Sequence, residues 1–244
     1  MNERYIRQIP VIGEAGQKKL DEATVFLAGA GGLGSPVALY LAAAGVGHIR
    51  VADCDVVEIT NLNRQILHRQ DRIGMPKAAS AKLTLEAFNP DIKVTAFSSF
   101  IDEKTAPQLI GDADIIVDAM DNFAARYVLN EFSHKSKIPL VHGGVAGLSG
   151  QATLIIPGIT PCLSCIFPNA QTTKGTPILG STAGVIGSIE AQETIKYLTG
   201  AQDTLAGKLL LWDGAVNRMD VFSVKKSPRC SVCSEKITIE ENHD

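Results

Sequence analysis

Thr24-Val25-Phe26-Leu27-Ala28 runs into Gly29-Ala30-Gly31-Gly32-Leu33-Gly34, then into the Ala/Leu-rich stretch Ser35–Ala44, then into His48-Ile49-Arg50-Val51-Ala52 and Asp53. A short apolar run before a glycine cluster predicts a buried strand. The stretch after the glycines predicts a helix, and the second apolar run predicts another strand. Strand, glycine loop, helix, strand and acid in that order make one βαβ unit. Gly29, Gly31, Gly32 and Gly34 would let the backbone close on a phosphate at the helix N-terminus, where free N–H groups face the anion. Asp53 ends the second strand, where a carboxylate can accept from ribose hydroxyls. The alternative is a glycine turn kept only for strand–helix packing. The pattern does not separate a dinucleotide from ATP.

The alternation continues outward from this unit. Helices are expected over Ala15–Asp21, Pro76–Phe88, Glu103–Ile110 and Phe123–Ser136, and strands over Ile92–Phe97, Asp114–Asp118 and Pro139–His142. Such alternation predicts an α/β, Rossmann-like, mostly parallel sheet with helices on both faces. The regime changes after Gly150. Gln151–Ile156 reads as a strand with no helix after it, Pro168–Ser181 as a mobile loop, Ala183–Leu198 as a long helix, and Lys208–Trp212 with Met219–Val224 as a hairpin. The chain is therefore read as one domain over 1–244, with an arm at 1–22, a nucleotide-binding part at 23–150 and a third part at 151–244.

The 244 residues suit one domain, and 45% hydrophobic with 20% charged residues suits a globular core. A net charge of −3 argues against a general nucleic-acid or membrane binder. No apolar run reaches the length of a membrane span. The polar, charged start, Met1-Asn2-Glu3-Arg4-Tyr5, does not resemble a secretion signal. A cytoplasmic location with reduced thiols is the expectation.

Four of the five cysteines form two Cys-x-x-C pairs, Cys162/Cys165 and Cys230/Cys233. Two such pairs supply the four thiolates of a closed tetrahedral zinc site, which would staple the C-terminal antiparallel extension to the body. A redox motif, a disulfide or chance are the alternatives.

Several charged and polar residues point away from hydride transfer. Asn61-Leu62-Asn63-Arg64-Gln65 follows the second strand. Lys77 follows Pro76 at a helix start, where the dipole disfavours a cation, so an anion is expected beside it. Asp121-Asn122 follow the fourth strand at its carboxyl end, where an acid can hold Mg²⁺ against phosphate oxygens. Taken singly, Arg64 and Lys77 could be solvated charges, and Asp121 an N-cap. Together they form a nucleotidyl-transfer set.

In order, Arg4-Tyr5-x-Arg7-Gln8, the glycine loop, Asp53-x-Asp55, Asn61-Leu62-x-Arg64-Gln65, Pro76-Lys77, Asp118-x-x-Asp121-Asn122 and the paired Cys-x-x-C resemble the bacterial relatives of ubiquitin-activating enzymes. These ThiF/MoeB/HesA proteins are adenylyltransferases for the sulfur carriers of thiamine and molybdopterin synthesis. The resemblance implies ATP and Mg²⁺ over the glycine loop, and adenylation of a small ubiquitin-like partner ending in Gly-Gly, bound by the 151–244 part. It implies that Asp53 holds the ribose, Asp121 the magnesium, and that Arg64 and Lys77 neutralise phosphate charge. Asp55, Asn61, Gln65 and Asn122 would help position phosphate and metal ligands. Arg7 would reach into the partner's site of a homodimer.

One departure stands out. Family members that link covalently to the carrier place a Cys after the first Cys pair, and Pro168–Ser181 has none; Thr172 and Thr173 occupy the region. A Thr hydroxyl is a weak nucleophile unless a base activates it. Cys54, between two acids, is expected to be a packed residue with a raised thiol pKa. Adenylation without a thioester is therefore the expectation. The chain ends soon after Cys233, so a separate sulfur donor is also expected. Other carboxylate substrates, an NAD(P)-dependent oxidoreductase and a non-catalytic binding module are the competing readings.

Overall fold

A computed structural model of the protein describes residues 3–172 and 175–234. Its elements, in chain order, are α1 (Ile9–Glu22), β1 (Thr24–Ala28), α2 (Gly34–Ala44), β2 (His48–Ala52), α3 (Lys77–Phe88), β3 (Lys93–Phe97), α4 (Ala106–Ile110), β4 (Ile115–Asp118), α5 (Phe123–Ser136), β5 (Leu140–Ala146), β6 (Ser149–Ile155), α6 (Leu163–Ile166), α7 (Gly180–Thr199), β7 (Lys208–Asp213) and β8 (Arg218–Ser223). The eight strands form one sheet in the order β3-β2-β1-β4-β5-β6-β7-β8. The first five in that order pair parallel, and β5 to β8 pair antiparallel.

Burial explains this layering. Val25 to Ala28 and all of β4 are buried, as continuous apolar runs in a doubly covered parallel sheet should be. One core joins α2, α3 and α7 to one face through Leu41, Val37, Leu85 and Ile186. A second core on the other face joins Phe26, Ile116, Leu109 and Leu129 to Cys162 and Cys230. Because β1 neighbours both β2 and β4, connections diverge at its C-terminal end. That opens the crevice in which ligands bind in such sheets.

Three expectations need correction. The first helix starts at Ile9, not Ala15. Pro10 sits in its first turn, where no amide partner is lost, and Gly13 absorbs a kink at φ 75°. A four-residue helix, α6, follows β6 after all, lying across the first cysteine pair. The long helix begins at Gly180, inside the stretch read as a loop. No helix among the described residues is long and apolar enough to cross a membrane.

Candidate active site

Asp53, at the end of β2, fastens the glycine loop. Its Oδ2 accepts from the Ala30 amide at 2.8 Å and its Oδ1 from the Asp55 amide at 2.9 Å. Burial raises its carboxyl above the usual Asp value, partly offset by those two N–H groups and the Lys77 ammonium. Each carboxylate oxygen keeps a second acceptor site, so a hydroxyl can still donate to it. His68, missed in the sequence, holds the loop as well. Its Nε2 donates to the Ala30 carbonyl at 2.8 Å, and its Nδ1 accepts from the Ser80 hydroxyl of α3 at 3.0 Å. A carbonyl only accepts, so the network assigns the proton to Nε2. Burial keeps this imidazole below its usual pKa. The loop closes tightly, for a Cβ at Gly34 would lie 2.0 Å from the Gly29 carbonyl oxygen.

Lys77 opens α3 and is only 6% exposed. The anion beside it is Asp55, 2.8 Å away. Cys54, Asp55, Val56, Glu58, Asn61 and Lys77 line a cleft of about 370 Å³. Asn61 is held in place by accepting the Glu58 amide at 3.1 Å. Arg64 and Gln65 flank the loop. A Cβ at Gly32 would lie 3.5 Å from Arg64 Cγ, and one at Gly31 would lie 3.7 Å from Gln65 Nε2. Arg64 donates to the Thr60 carbonyl and to Asn63 Oδ1, each at 3.0 Å. The Gln65 amide oxygen is buried without a protein partner. Glycine amides, two cations, an unpartnered amide oxygen and nearby carboxylates form a donor set that fits a nucleoside triphosphate with a divalent cation.

Asp121 lies exposed just after β4. The N-cap of α5 is Asn122, whose Oδ1 accepts from Ala125 N at 2.9 Å. Asp121 therefore does not cap the helix; its Oδ1 accepts only a long bond, 3.4 Å, from Asn122 Nδ2. Arg126, unremarked in the sequence, braces this turn. It donates to the Met120 carbonyl at 2.6 Å and the Gly143 carbonyl at 3.0 Å, with Nε 3.7 Å from Asp118. Buried Asp118 also accepts from His142 Nδ1 at 2.7 Å. Glu190 of α7 completes this buried group. Both its oxygens lack partners, and a Cβ at Gly143 would lie 2.3 Å from its carboxyl carbon. Burial first, then the Asp118 charge, hold its carboxyl well above the usual Glu value. An arginine one turn into a helix was the available signal for Arg126, by the dipole argument applied to Lys77. Glu190 carried none, because its burial arises from tertiary packing.

Two expected residues stand elsewhere or differently. Arg7 is exposed on an arm whose Tyr5 packs at Gly45 and whose Gln8 donates to the Ala44 carbonyl at 2.8 Å. That is the far end of α2 from the glycine loop, about 15 Å of helix away. Arg7 is thus not brought to its own chain's loop. Cys54 is exposed, not packed; it lies two residues past the end of β2. Burial of its sulfur, then Asp55 and Asp53, raise its thiol pKa, as expected of a poor nucleophile.

The four remaining cysteines converge. Sγ separations are 3.5 Å for Cys162–Cys230, 3.3 Å for Cys165–Cys233 and 4.0 Å for Cys162–Cys165. Bonded sulfurs would lie about 2.05 Å apart. Four ligands about 2.3 Å from one zinc would lie about 3.8 Å apart, close to these values. The Ser227 amide donates to Cys165 Sγ at 3.3 Å. These four thiols fit a structural zinc ion.

Residues 4–232 match the family described as ThiF family. The chain is 39% identical over 241 residues to the SAMP-activating enzyme E1 of Haloferax volcanii, covering 96% of this chain and 89% of that one. It is 37% identical to the sulfur carrier protein adenylyltransferase of Thermus thermophilus, covering 98% of this chain and 93% of that one. It is 41% identical to the adenylyltransferase and sulfurtransferase MOCS3 of Anopheles gambiae, over 97% of this chain but only 56% of that one. Among solved structures, E. coli MccB with ATP superposes with a TM-score of 0.85 at 26% identity, over 96% of this chain and 74% of that one.

Proposed function

The chain belongs to the ThiF family, and on that premise we propose that this adenylyltransferase uses ATP to activate the C-terminal Gly-Gly carboxylate of a small ubiquitin-like sulfur carrier. A carrier carboxylate oxygen attacks the α-phosphorus of ATP. The bond from that phosphorus to the bridging oxygen breaks, pyrophosphate leaves, and a carrier acyl-adenylate remains. The observation that carries the reading is Lys77, a buried cation lining the cleft that follows Asp53, the residue that fastens the glycine loop.

Each residue then has a task. Glycine-loop amides receive phosphate oxygens at the start of α2. Asp53, already fixed by Ala30, accepts from the ribose, and Asn61, Gln65 and Asn122 orient the polyphosphate. Arg64 and Lys77 stabilise charge on the phosphate oxygens, a preorganised role worth about 10²–10³ in rate per donor. Asp55 keeps Lys77 placed. Asp121 holds Mg²⁺, which when bound offsets polyphosphate charge. Arg7, too far from its own loop, acts in the partner's site of a homodimer. Zinc on the four cysteines holds the 151–244 part.

Neither a thioester nor an oxygen ester at Thr172 forms on this chain. Thr172 Oγ1 is already engaged, accepting from the Phe123 amide at 2.8 Å. The Thr173 expectation lies outside the described residues. Sulfur reaches the adenylate from a separate donor. A specific likeness supports a second substrate class: MccB, whose fold is shared, is solved with MccA, so a substrate other than a sulfur carrier is the second reading. Exchange of labelled pyrophosphate into ATP separates these readings. Dependence on a carrier with a free Gly-Gly end supports the proposal. Exchange driven equally by unrelated peptides supports the second reading, and no exchange with any carboxylate refutes both.

A further inference from the structure

Phe123, Tyr127 and Asn130 recur at four- and three-residue spacing on α5, so they share one face of that helix. All three touch the same stretch of chain. Asn130 Oδ1 accepts from the Leu163 amide at 2.8 Å, and its Nδ2 donates to Ser164 Oγ at 3.2 Å. Tyr127 donates its hydroxyl proton to the Phe167 carbonyl at 2.6 Å and accepts from the Ala170 amide at 2.8 Å. The Phe123 amide, otherwise without a partner at a helix start, donates to Thr172 Oγ1 at 2.8 Å. Residues 163 to 172 therefore run antiparallel along α5, from the cysteine cluster to the helix N-terminus. They end beside Asp121 and Asn122.

The stretch is gripped by side chains and one orphan amide, with no sheet pairing to hold it. Phe167 packs against both the Phe123 ring, 6.1 Å between centroids, and His142, 5.6 Å between centroids. Tyr127 sits midway and makes two of the bonds through one oxygen. We propose that Tyr127 is a positioning residue. Its hydroxyl holds residues 167–172 as a track from the cysteine cluster to the α5 N-terminus, and so sets one wall of the path by which the carrier tail reaches the nucleotide. This rests on the adenylation reading above.

Tyr127→Phe keeps the ring and deletes both bonds. Hydrogen exchange at the Ala170 amide should rise about fivefold, since one ordinary hydrogen bond is lost there. The probe for function is a ubiquitin-fold protein ending in Gly-Gly, assayed by pyrophosphate exchange. Its KM should rise about tenfold as the track opens, while the KM for ATP stays within about twofold. Thr172→Val should act in the same direction, and Thr172→Ser should restore the wild-type values. A purely structural role would move both KM values and the melting temperature together. Unchanged Ala170 exchange, or an opened amide with an unchanged carrier KM, overturns the positioning role alone. A wild-type protein that shows no exchange with the probe overturns the adenylation reading and this role with it, whatever Ala170 does.

Discussion

Glu190→Gln isolates the cost of one buried carboxyl. Glu190 is 0% exposed, and neither carboxylate oxygen has a partner. The charged and titratable groups around it are Asp118, Arg126 and His142, with Gln151 3.4 Å from the His142 ring. Burial and Asp118 both favour the protonated acid. In the unfolded chain a Glu ionises near pH 4.3. Between that pH and the raised folded value, the unfolded state has released a proton that the folded state keeps. Glu190's own contribution to stability therefore falls with rising pH in that window, by about 1.4 kcal/mol per unit. Gln cannot ionise, so the variant lacks this slope. The stability gap between variant and wild type should widen in the variant's favour by about 1.4 kcal/mol for each pH unit inside the window, or roughly 3–6 °C in melting temperature. Asp118 and His142 are common to both proteins and largely cancel. Urea unfolding of both at pH 5, 6 and 7 reads the gap. A constant gap across that series would refute a buried, proton-bearing Glu190.

Three further outcomes follow from the site. Gly34→Ala forces a Cβ against the Gly29 carbonyl oxygen, so the loop must shift; ATP affinity should fall at least tenfold in a nucleotide-binding titration, and unaltered affinity would contradict the loop's role. Acidification below about pH 6.5 should destabilise the protein, because His68 and His142 have lowered folded pKa values and are neutral when folded; stability is lost as pH falls from the unfolded His value, and a His68→Gln variant should lose less of it in a melting series. Stripping zinc with a chelator should lower the melting temperature and carrier-dependent exchange while leaving ATP binding within about twofold; full exchange after stripping would break the link from cysteine cluster to carrier path.

The parallel core was legible in the sequence wherever apolar runs met strong punctuation. β1, β2 and α5 match their expected bounds because glycines, Asp53 and Asn122 mark their ends. α1 begins at Ile9 rather than Ala15, since a first-turn Pro10 and a kink at Gly13 leave the helix unbroken. α6 spans four residues, too few for any periodicity. At the site, the glycine loop, Asp53, Arg64, Gln65 and Lys77 could be gathered because strand ends converge in this topology. The partner of Lys77 could not, since Asp55 arrives from another loop. Glu190 and the grip of Tyr127 on residues 167–170 depend on which helix faces pack together, and local sequence carries no record of that.

Mass spectrometry of the carrier after a single turnover reaches the central claim most directly. Incubated with enzyme and ATP and then denatured without reductant, a Gly-Gly carrier should be recovered heavier by one AMP and free of the enzyme. A carrier lacking the last glycine should be unmodified, and Lys77→Met should reduce the yield at least a hundredfold. Carrier of unchanged mass, or carrier recovered covalently bound to the enzyme, would contradict the account.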